Sequence, residues 1–287
     1  LSVFISLDNL FSLKNILVNN VVIENTNFNL NKKSANFFIK LLDNNFLKST
    51  FIIKDSNVFF KNAENEVLFI NKILNMKYYY DPKELKNIMD SENEIFNVPY
   101  NLISYIDKKN KKIFSKINLN FLKLQIENEF IYKNDLKEGS ASIIFNQNKS
   151  KATYELGKNN FVFNYYDKLA KLKYFYRGLV NFSPFYSTFR GDIDRINLSS
   201  FFNTNSFFVQ LLKTEILNNQ NLNIDISIDA KKFLHYQNFT EIFFNFKIKE
   251  GLLDIDDTKF KWKKYADFKI SDSLIYLDKN QLILNAK

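Results

Sequence analysis

The sequence predicts a mainly β protein, a long antiparallel meander whose curved or rolled sheet forms an apolar groove. Apolar and polar residues alternate with period two, most clearly over 222–230, as expected of strands with one buried face. Short polar turn signals such as 278–280 separate these segments and favour antiparallel neighbours. Further alternating segments lie around 51–60, 67–73, 117–126, 140–145, 161–165, 242–249, 252–262 and 281–286.

Helical spacing is confined to three short stretches, predicted as helices near 34–45, 82–90 and 198–217. In the first, apolar residues recur at the three- and four-residue spacing of one helix face. The second begins with Asp81, Pro82 and Glu84, which suit the cap, the first position and the capping box of a helix. Three short helices cannot cover so many strands, so another layer or a ligand must cover the apolar face of the sheet.

A weak internal repeat starts at Ile23, Ile53, Ile255 and Ile270. Each copy reads apolar, any, Asp or Asn, Ser or Thr, any, apolar, any, apolar, polar. An Asp/Asn-Ser/Thr pair inside an alternating strand can turn its side chains onto nearby backbone groups, which predicts a bend that needs no glycine.

Composition supports one folded domain over 1–287. Hydrophobic residues make up 46% and charged residues 25% of the chain, and no Pro/Gly/Ser-rich linker divides it. The net charge of +9 comes almost entirely from lysine, since Arg177, Arg190 and Arg195 are the only arginines. Base recognition relies strongly on arginine, so no nucleic-acid partner is predicted.

The residues offer no catalytic, cofactor or metal site. Cysteine is absent and His235 is the single histidine, which excludes thiolate and multi-histidine metal sites. The five glycines are isolated, so no phosphate-binding loop is present. Two acidic groups, Asp192 with Asp194 and the trio at 254, 256 and 257, are interpreted as solvated strand faces and turns. The prediction is a protein that is not an enzyme.

A rolled sheet that stays partly open would present its apolar lining as a groove for acyl chains. In the 222–230 strand and the 255–262 strand, the predicted lining residues alternate with polar neighbours. The candidate groove residues are Leu222, Ile224, Ile226, Ile228, Ile255, Phe260 and Trp262.

The chain resembles the AsmA-like family of Gram-negative envelope proteins, with its larger TamB-type and YhdP-type members. The similarity lies in 51–60 with the strand at 67–73, in 182–193, in 215–228 and in 251–260. It implies a periplasmic β-rich body with a long apolar groove that moves phospholipid toward the outer membrane. It also implies an inner-membrane anchor that this chain lacks, so the chain is a piece of a longer protein or has had its anchor removed.

Two other classes stay open. An outer-membrane β-barrel also alternates in segments of about ten residues, but the terminal residues 285–287 lack an aromatic end. A structural or adhesive β protein with a dry core would use the same strands without any ligand.

Overall fold

Strands dominate the computed structural model of the chain. Of the described residues, 77% are strand and 3% are helix, so the mainly β class is confirmed. The described chain divides into two compact units, unit 1 from Leu1–Asn134 with Ile144–Asn146 and unit 2 from Asp135–Ile143 with Gln147–Lys287. The single domain over 1–287 stays a prediction. The described residues are 1–5, 18–31, 50–61, 65–81, 83–84, 86–107, 110, 112–133, 136–145, 148–157, 159–167, 174–182, 185–197, 203, 206–214, 219, 222–278 and 281–287.

Unit 1 contains nine described strands in a mixed sheet. β1 runs antiparallel to β2, β2 and β3 both run parallel to β4, and β4 to β9 form an antiparallel meander. The parallel pairs interrupt the predicted antiparallel meander. The strands are β1 (Ser2–Ile5), β2 (Val18–Glu24), β3 (Asn27–Leu30), β4 (Thr50–Lys61), β5 (Val67–Asp81), β6 (Lys86–Ile95), β7 (Val98–Asp107), β8 (Lys112–Leu119) and β9 (Leu124–Lys133).

Most strands of unit 2 also form a mixed sheet, and its last two strands pair with each other in a separate two-stranded sheet. From β11 to β14 neighbouring strands are antiparallel, β14 and β15 are parallel, and β16 pairs antiparallel with β15, β17 and β18. β18 pairs with β19, and β20 with β21. The strands are β10 (Leu136–Phe145, mostly in unit 2), β11 (Asn148–Leu156), β12 (Asn160–Asp167), β13 (Tyr174–Phe182), β14 (Phe185–Ile196), β15 (Asn223–Phe233), β16 (Phe239–Lys249), β17 (Leu252–Asp254), β18 (Lys259–Trp262), β19 (Ala266–Lys269), β20 (Leu274–Asp278) and β21 (Gln281–Asn285).

The helix predictions were largely wrong. Helix α1 (Phe207–Leu212) is the only α-helix of the described residues, and it occupies part of the predicted 198–217. Of the predicted helix at 82–90, the structure describes a turn at Lys83 and Glu84 and strand β6 from Lys86 onward. Asp81 Oδ1 does accept hydrogen bonds from the N–H groups of Lys83 and Glu84, but it caps that turn. The predicted helix at 34–45 lies outside the described residues.

A 3₁₀ turn interrupts the strand that alternation predicts over 117–126. The turn spans Asn120–Leu122, and Lys123 after it has a left-handed backbone with φ of 50°. β8 and β9 on either side pair with each other as a hairpin. The apolar alternation is therefore carried by two strands.

The internal repeat forms bends, as predicted. The third residue of each copy has positive φ: 52° at Asn25, 46° at Asp55, 67° at Asp257 and 50° at Asp272. Asp and Asn tolerate this left-handed region better than most residues because their short side chains bond locally. The repeat therefore bends the strand at four places without glycine.

In unit 1 the two repeats stack directly on each other. Ile23 is the register partner of Ile53, and Asn27 is the partner of Asn57, so the parallel pairing follows the 30-residue offset of the repeat. At the bend, Ser56 Oγ accepts a hydrogen bond from the Thr26 N–H at 3.1 Å and donates one to the Lys54 carbonyl at 2.7 Å. The hydroxyl thus gives the Thr26 N–H its acceptor and is a second donor to the Lys54 carbonyl, which also accepts from the Asn25 N–H.

Unit 2 uses the same chemistry at its bends. Thr258 Oγ1 accepts from the Asn245 N–H at 3.0 Å and donates to the Asn245 carbonyl at 3.1 Å. Ser273 Oγ accepts from the Ile255 N–H at 2.8 Å. The Thr258 hydroxyl thus bonds to the backbone of β16, and the Ser273 hydroxyl bonds to the residue directly after β17.

Ser56→Ala is expected to lower the free energy of unfolding by about 1–3 kcal/mol, because the part-buried Thr26 N–H loses its hydrogen-bond acceptor and the Lys54 carbonyl loses one of its two donors. Ser56 is only 1% exposed, so water cannot easily replace the hydroxyl. Urea unfolding with unchanged m-value is the measurement.

Thr26→Val is the matched control for this substitution. Its hydroxyl occupies the same repeat position but donates only one exposed hydrogen bond, to the Glu24 carbonyl. A loss in Thr26→Val as large as in Ser56→Ala would contradict the role assigned to the buried hydroxyl.

Candidate ligand-binding surface

The candidate surface is one face of the unit 2 sheet, here called the apolar face. Its residues are brought together by strand register. A central row crosses six strands through direct register partners. This central row consists of Tyr154, Phe163, Gly178, Phe189, Ile226 and Phe246.

Glycine in the central row allows two aromatic rings to meet across an intervening strand. The Phe163 and Phe189 ring centroids are 5.4 Å apart although their strands are separated by β13. A Cβ at Gly178 would lie 2.0 Å from the Phe163 ring. The same arrangement recurs where a Cβ at Gly191 would lie 2.6 Å from the Tyr176 ring. Both glycines are therefore packing positions for aromatic side chains.

Two buried clusters lie on the apolar face. One contains Ile193, Ile228 and Ile242, and the other contains Ile248 and Leu253, each with further apolar residues. Ile226 and Phe244 pack against both clusters but are themselves only half-buried. The part of the apolar face that lies between the two clusters is therefore apolar and still reaches solvent.

The apolar face becomes less buried toward β11. Tyr154, Phe161, Phe163 and Phe189 are all half-buried, and none of them belongs to either buried cluster. Their rings contact one another, with centroids 5.2 Å apart for Tyr154 and Phe161. An apolar surface that is partly exposed along several strands is a typical feature of binding sites.

Six of the seven candidate groove residues lie together here. Leu222 and Ile255 are buried in one cluster and Ile228 in the other, while Ile224, Ile226 and Phe260 are half-buried and pack against the clusters. Trp262 is the exception. It lies at the end of β18, is 43% exposed and contacts Tyr265 with a ring distance of 5.7 Å.

Sequence reasoning missed the aromatic half of this surface. The sequence predicts alternation around 161–165, but the candidate residues that it indicates do not include Phe163 and Phe189. The signal was present as a glycine directly opposite an aromatic residue, Gly178 with Phe163 and Gly191 with Tyr176. This pairing of glycine with an aromatic residue can be recognised only when the strand register is known.

The opposite side of the sheet, here called the polar face of unit 2, carries ion pairs. The Lys231 ammonium lies 2.7 Å from Asp194, and this hydrogen bond raises the pKa of the lysine. The Lys269 ammonium lies 3.0 Å from Asp257 and lowers the pKa of that carboxyl through a hydrogen bond. Charged side chains therefore occupy the face that the alternation predicts to be solvated.

The acidic groups noted in the sequence have structural partners. Asp256 Oδ1 accepts hydrogen bonds from the N–H and the hydroxyl of Ser273, and Asp254 Oδ1 accepts one from the Asp256 N–H. His235 is exposed in the bend after β15. The described residues include no group of three or more histidine, cysteine, aspartate or glutamate side chains that could hold a metal ion.

Unit 1 differs because its buried face carries a chain of polar side chains. The Tyr100 hydroxyl donates to Asn71 Oδ1 at 2.7 Å, Asn71 donates to Asn93 at 3.4 Å, and Asn93 donates to Ser91 Oγ at 2.8 Å. The other three residues of this hydrogen-bond chain, Asn71, Asn93 and Ser91, are buried. Burial raises the pKa of Tyr100 to about 12.

No known family model and no curated protein matches the chain. The resemblance to AsmA-like proteins therefore stays a prediction. In the described part of the chain, no helix has the length and apolar character needed to cross a membrane.

Tyr100 gives a prediction in alkaline solution. Because its pKa is raised to about 12 in the fold and a free tyrosine ionises near pH 10, its contribution to stability is complete below about pH 10. That contribution is lost as pH rises from about 10 through about 12. An absorbance titration of the native protein minus that of Tyr100→Phe is expected to show one phenol ionising near pH 12. A difference curve centred near pH 10 would contradict this burial.

Gly178→Ala is expected to cost about 1–3 kcal/mol of unfolding free energy, because the new methyl overlaps the Phe163 ring. Phe163→Leu in the same chain should recover part of that loss, and a double-mutant cycle measures the coupling. Gly157→Ala is the control, since its Cβ would meet only the flexible side chain of Asn160 and that residue's carbonyl. Additive losses at 163 and 178 would contradict the packing role.

Proposed function

We propose that this protein binds phospholipid through its acyl chains, which lie along the apolar face of unit 2. In this proposal it is a non-enzymatic envelope protein that carries or conducts lipid in the periplasm between the inner and outer membranes. The single observation that supports binding is the half-buried apolar strip formed by Phe163, Phe189, Ile226 and Phe244. An acyl chain needs an apolar surface, and from Phe163 to Phe246 the central row provides one across five strands.

The energetic argument favours a flexible apolar ligand. Each methylene that leaves water contributes about 0.8 kcal/mol, so even partial contact with the strip stabilises an acyl chain. The same contact covers aromatic rings that otherwise remain partly hydrated. The AsmA-like resemblance supports the periplasmic location, the inner-membrane anchor outside this chain and the role in outer-membrane biogenesis.

A structural protein with a dry core is the second candidate. It is favoured by the two buried clusters, in which Ile242 is 2% exposed and Ile248, Leu253 and Ile255 are each 3% exposed. These residues need no ligand to cover them. The two candidates therefore differ only in what covers the half-buried strip.

The test is lipid content after gentle purification. Native mass spectrometry of the protein should show bound phospholipid, and Phe189→Ser and Ile226→Ser should each retain much less lipid per protein. Phe189 is the more informative site because it lies outside both buried clusters. Circular dichroism melting must show that the variants fold.

Ser227→Ala is the matched control, since Ser227 follows Ile226 and points to the polar face. We expect its lipid content to equal that of the native protein. Protein that folds normally and carries no phospholipid would support the dry-core candidate, and equal lipid in Phe189→Ser and Ser227→Ala would overturn the proposed surface.

A further inference from the structure

Two of the few arginines of this chain lie side by side in the sheet, whereas the lysines are spread along the whole sequence. The chain has 40 lysines and arginines, of which only three are arginine. Two of those, Arg177 on β13 and Arg190 on β14, are direct register partners in an antiparallel pair. Both side chains therefore project from the polar face of unit 2, next to each other.

Like charges directly opposite on paired strands are destabilising. Asp229 offsets part of the repulsion between the two arginines, because its Oδ2 lies 3.3 Å from Arg190 Nη2. Within the described part of the chain, Arg177 has no carboxylate within ion-pair distance. Among the described residues, one guanidinium of the pair thus has no ion-pair partner and lies beside a second positive charge.

The two arginines line a shallow cavity of about 420 Å³. Phe175, which is 42% exposed, lies in its wall together with Leu179 and Thr188. Asp192 also lines the cavity and is the one acidic residue of the lining. The cavity therefore combines two guanidinium groups, a hydroxyl and an apolar wall, with one opposing carboxylate.

We propose that Arg177 and Arg190 bind a phosphate group together. Guanidinium presents a planar fork of donors that matches phosphate oxygens in pairs, whereas a lysine ammonium is a point charge. A phosphate between the two side chains also removes their mutual repulsion. Phe175 and Leu179 would contact the organic part of a phosphate ester. The site is on the face opposite the proposed acyl-chain surface, so the two proposals stand or fall separately.

Three arginines make the test direct, because a protein labelled with ¹⁵N arginine gives three Nε–Hε signals. Lysine substitution at each position assigns them. On titration with inorganic phosphate and with glycerol 3-phosphate, we expect the Arg177 and Arg190 signals to shift together and saturate. Arg195 is the internal control and should not follow them.

Two variants test how individual side chains of the cavity contribute to phosphate affinity. Arg177→Lys keeps the charge but loses the paired donors, so affinity should fall about tenfold, as expected when one charge-assisted interaction is lost. Asp192→Asn removes the opposing carboxylate, so affinity should rise. Unchanged melting temperatures show that both variants fold.

The source of the phosphate is decided by flotation with vesicles. Binding to phosphatidylglycerol vesicles but not phosphatidylcholine vesicles, lost in Arg177→Lys, identifies a lipid headgroup, while saturable shifts with glycerol 3-phosphate alone identify a soluble ester. Linear shifts of all three arginine signals, or affinity equal in Arg177→Lys and the native protein, would overturn the site. So would the absence of any shift with both phosphate probes and of vesicle binding.

Discussion

In unit 1, strand β4 and its neighbours keep their apolar residues on one face although the chain bends within them. They do so because the spacing between inward-facing residues changes from two to three at the same height of the sheet. Between Ile53 and Ser56, and likewise between Ile23 and Thr26, the inward positions are three residues apart instead of two. β5 makes the same step, while β6 does not, and the register between them shifts by one after Ile73. Without this match, one strand would turn its apolar residues to water.

A structural feature could be predicted from the sequence only where it is determined by a few adjacent residues. The bend is local, because it needs only an Asp or Asn that tolerates positive φ and a hydroxyl that reaches the backbone, so four copies could be found by pattern alone. Which strand lies beside which is not local. The repeats at Ile23 and Ile53 become parallel partners, and nothing in either segment specifies that the pairing is parallel.

Strand β6 shows where local reasoning fails. Asp81 and Glu84 resemble a helix start, and the residues of β6 lack apolar alternation because Ser91 and Asn93 occupy its buried face. Those side chains are tolerated there because each has a hydrogen-bond partner, in the chain of bonds that ends at Tyr100. Strand β6 is paired along nearly its whole length with β5 and β7, and this pairing stabilises the strand more than the capping residues stabilise a helix. The strand's identity is thus set by its neighbours.

The same dependence on neighbours defines both proposed sites of unit 2. Alternation alone places Phe189 on one face and Arg190 on the other, but register puts Phe189 beside Ile226 and Arg190 beside Arg177. Gly178 contributes to both arrangements, since it leaves room for the Phe163 ring on one side and lines the arginine cavity on the other. One strand pair, β13 with β14, therefore carries an apolar surface and a cationic one. Because the sheet separates them, a ligand on either face can be bound without displacing a ligand on the other.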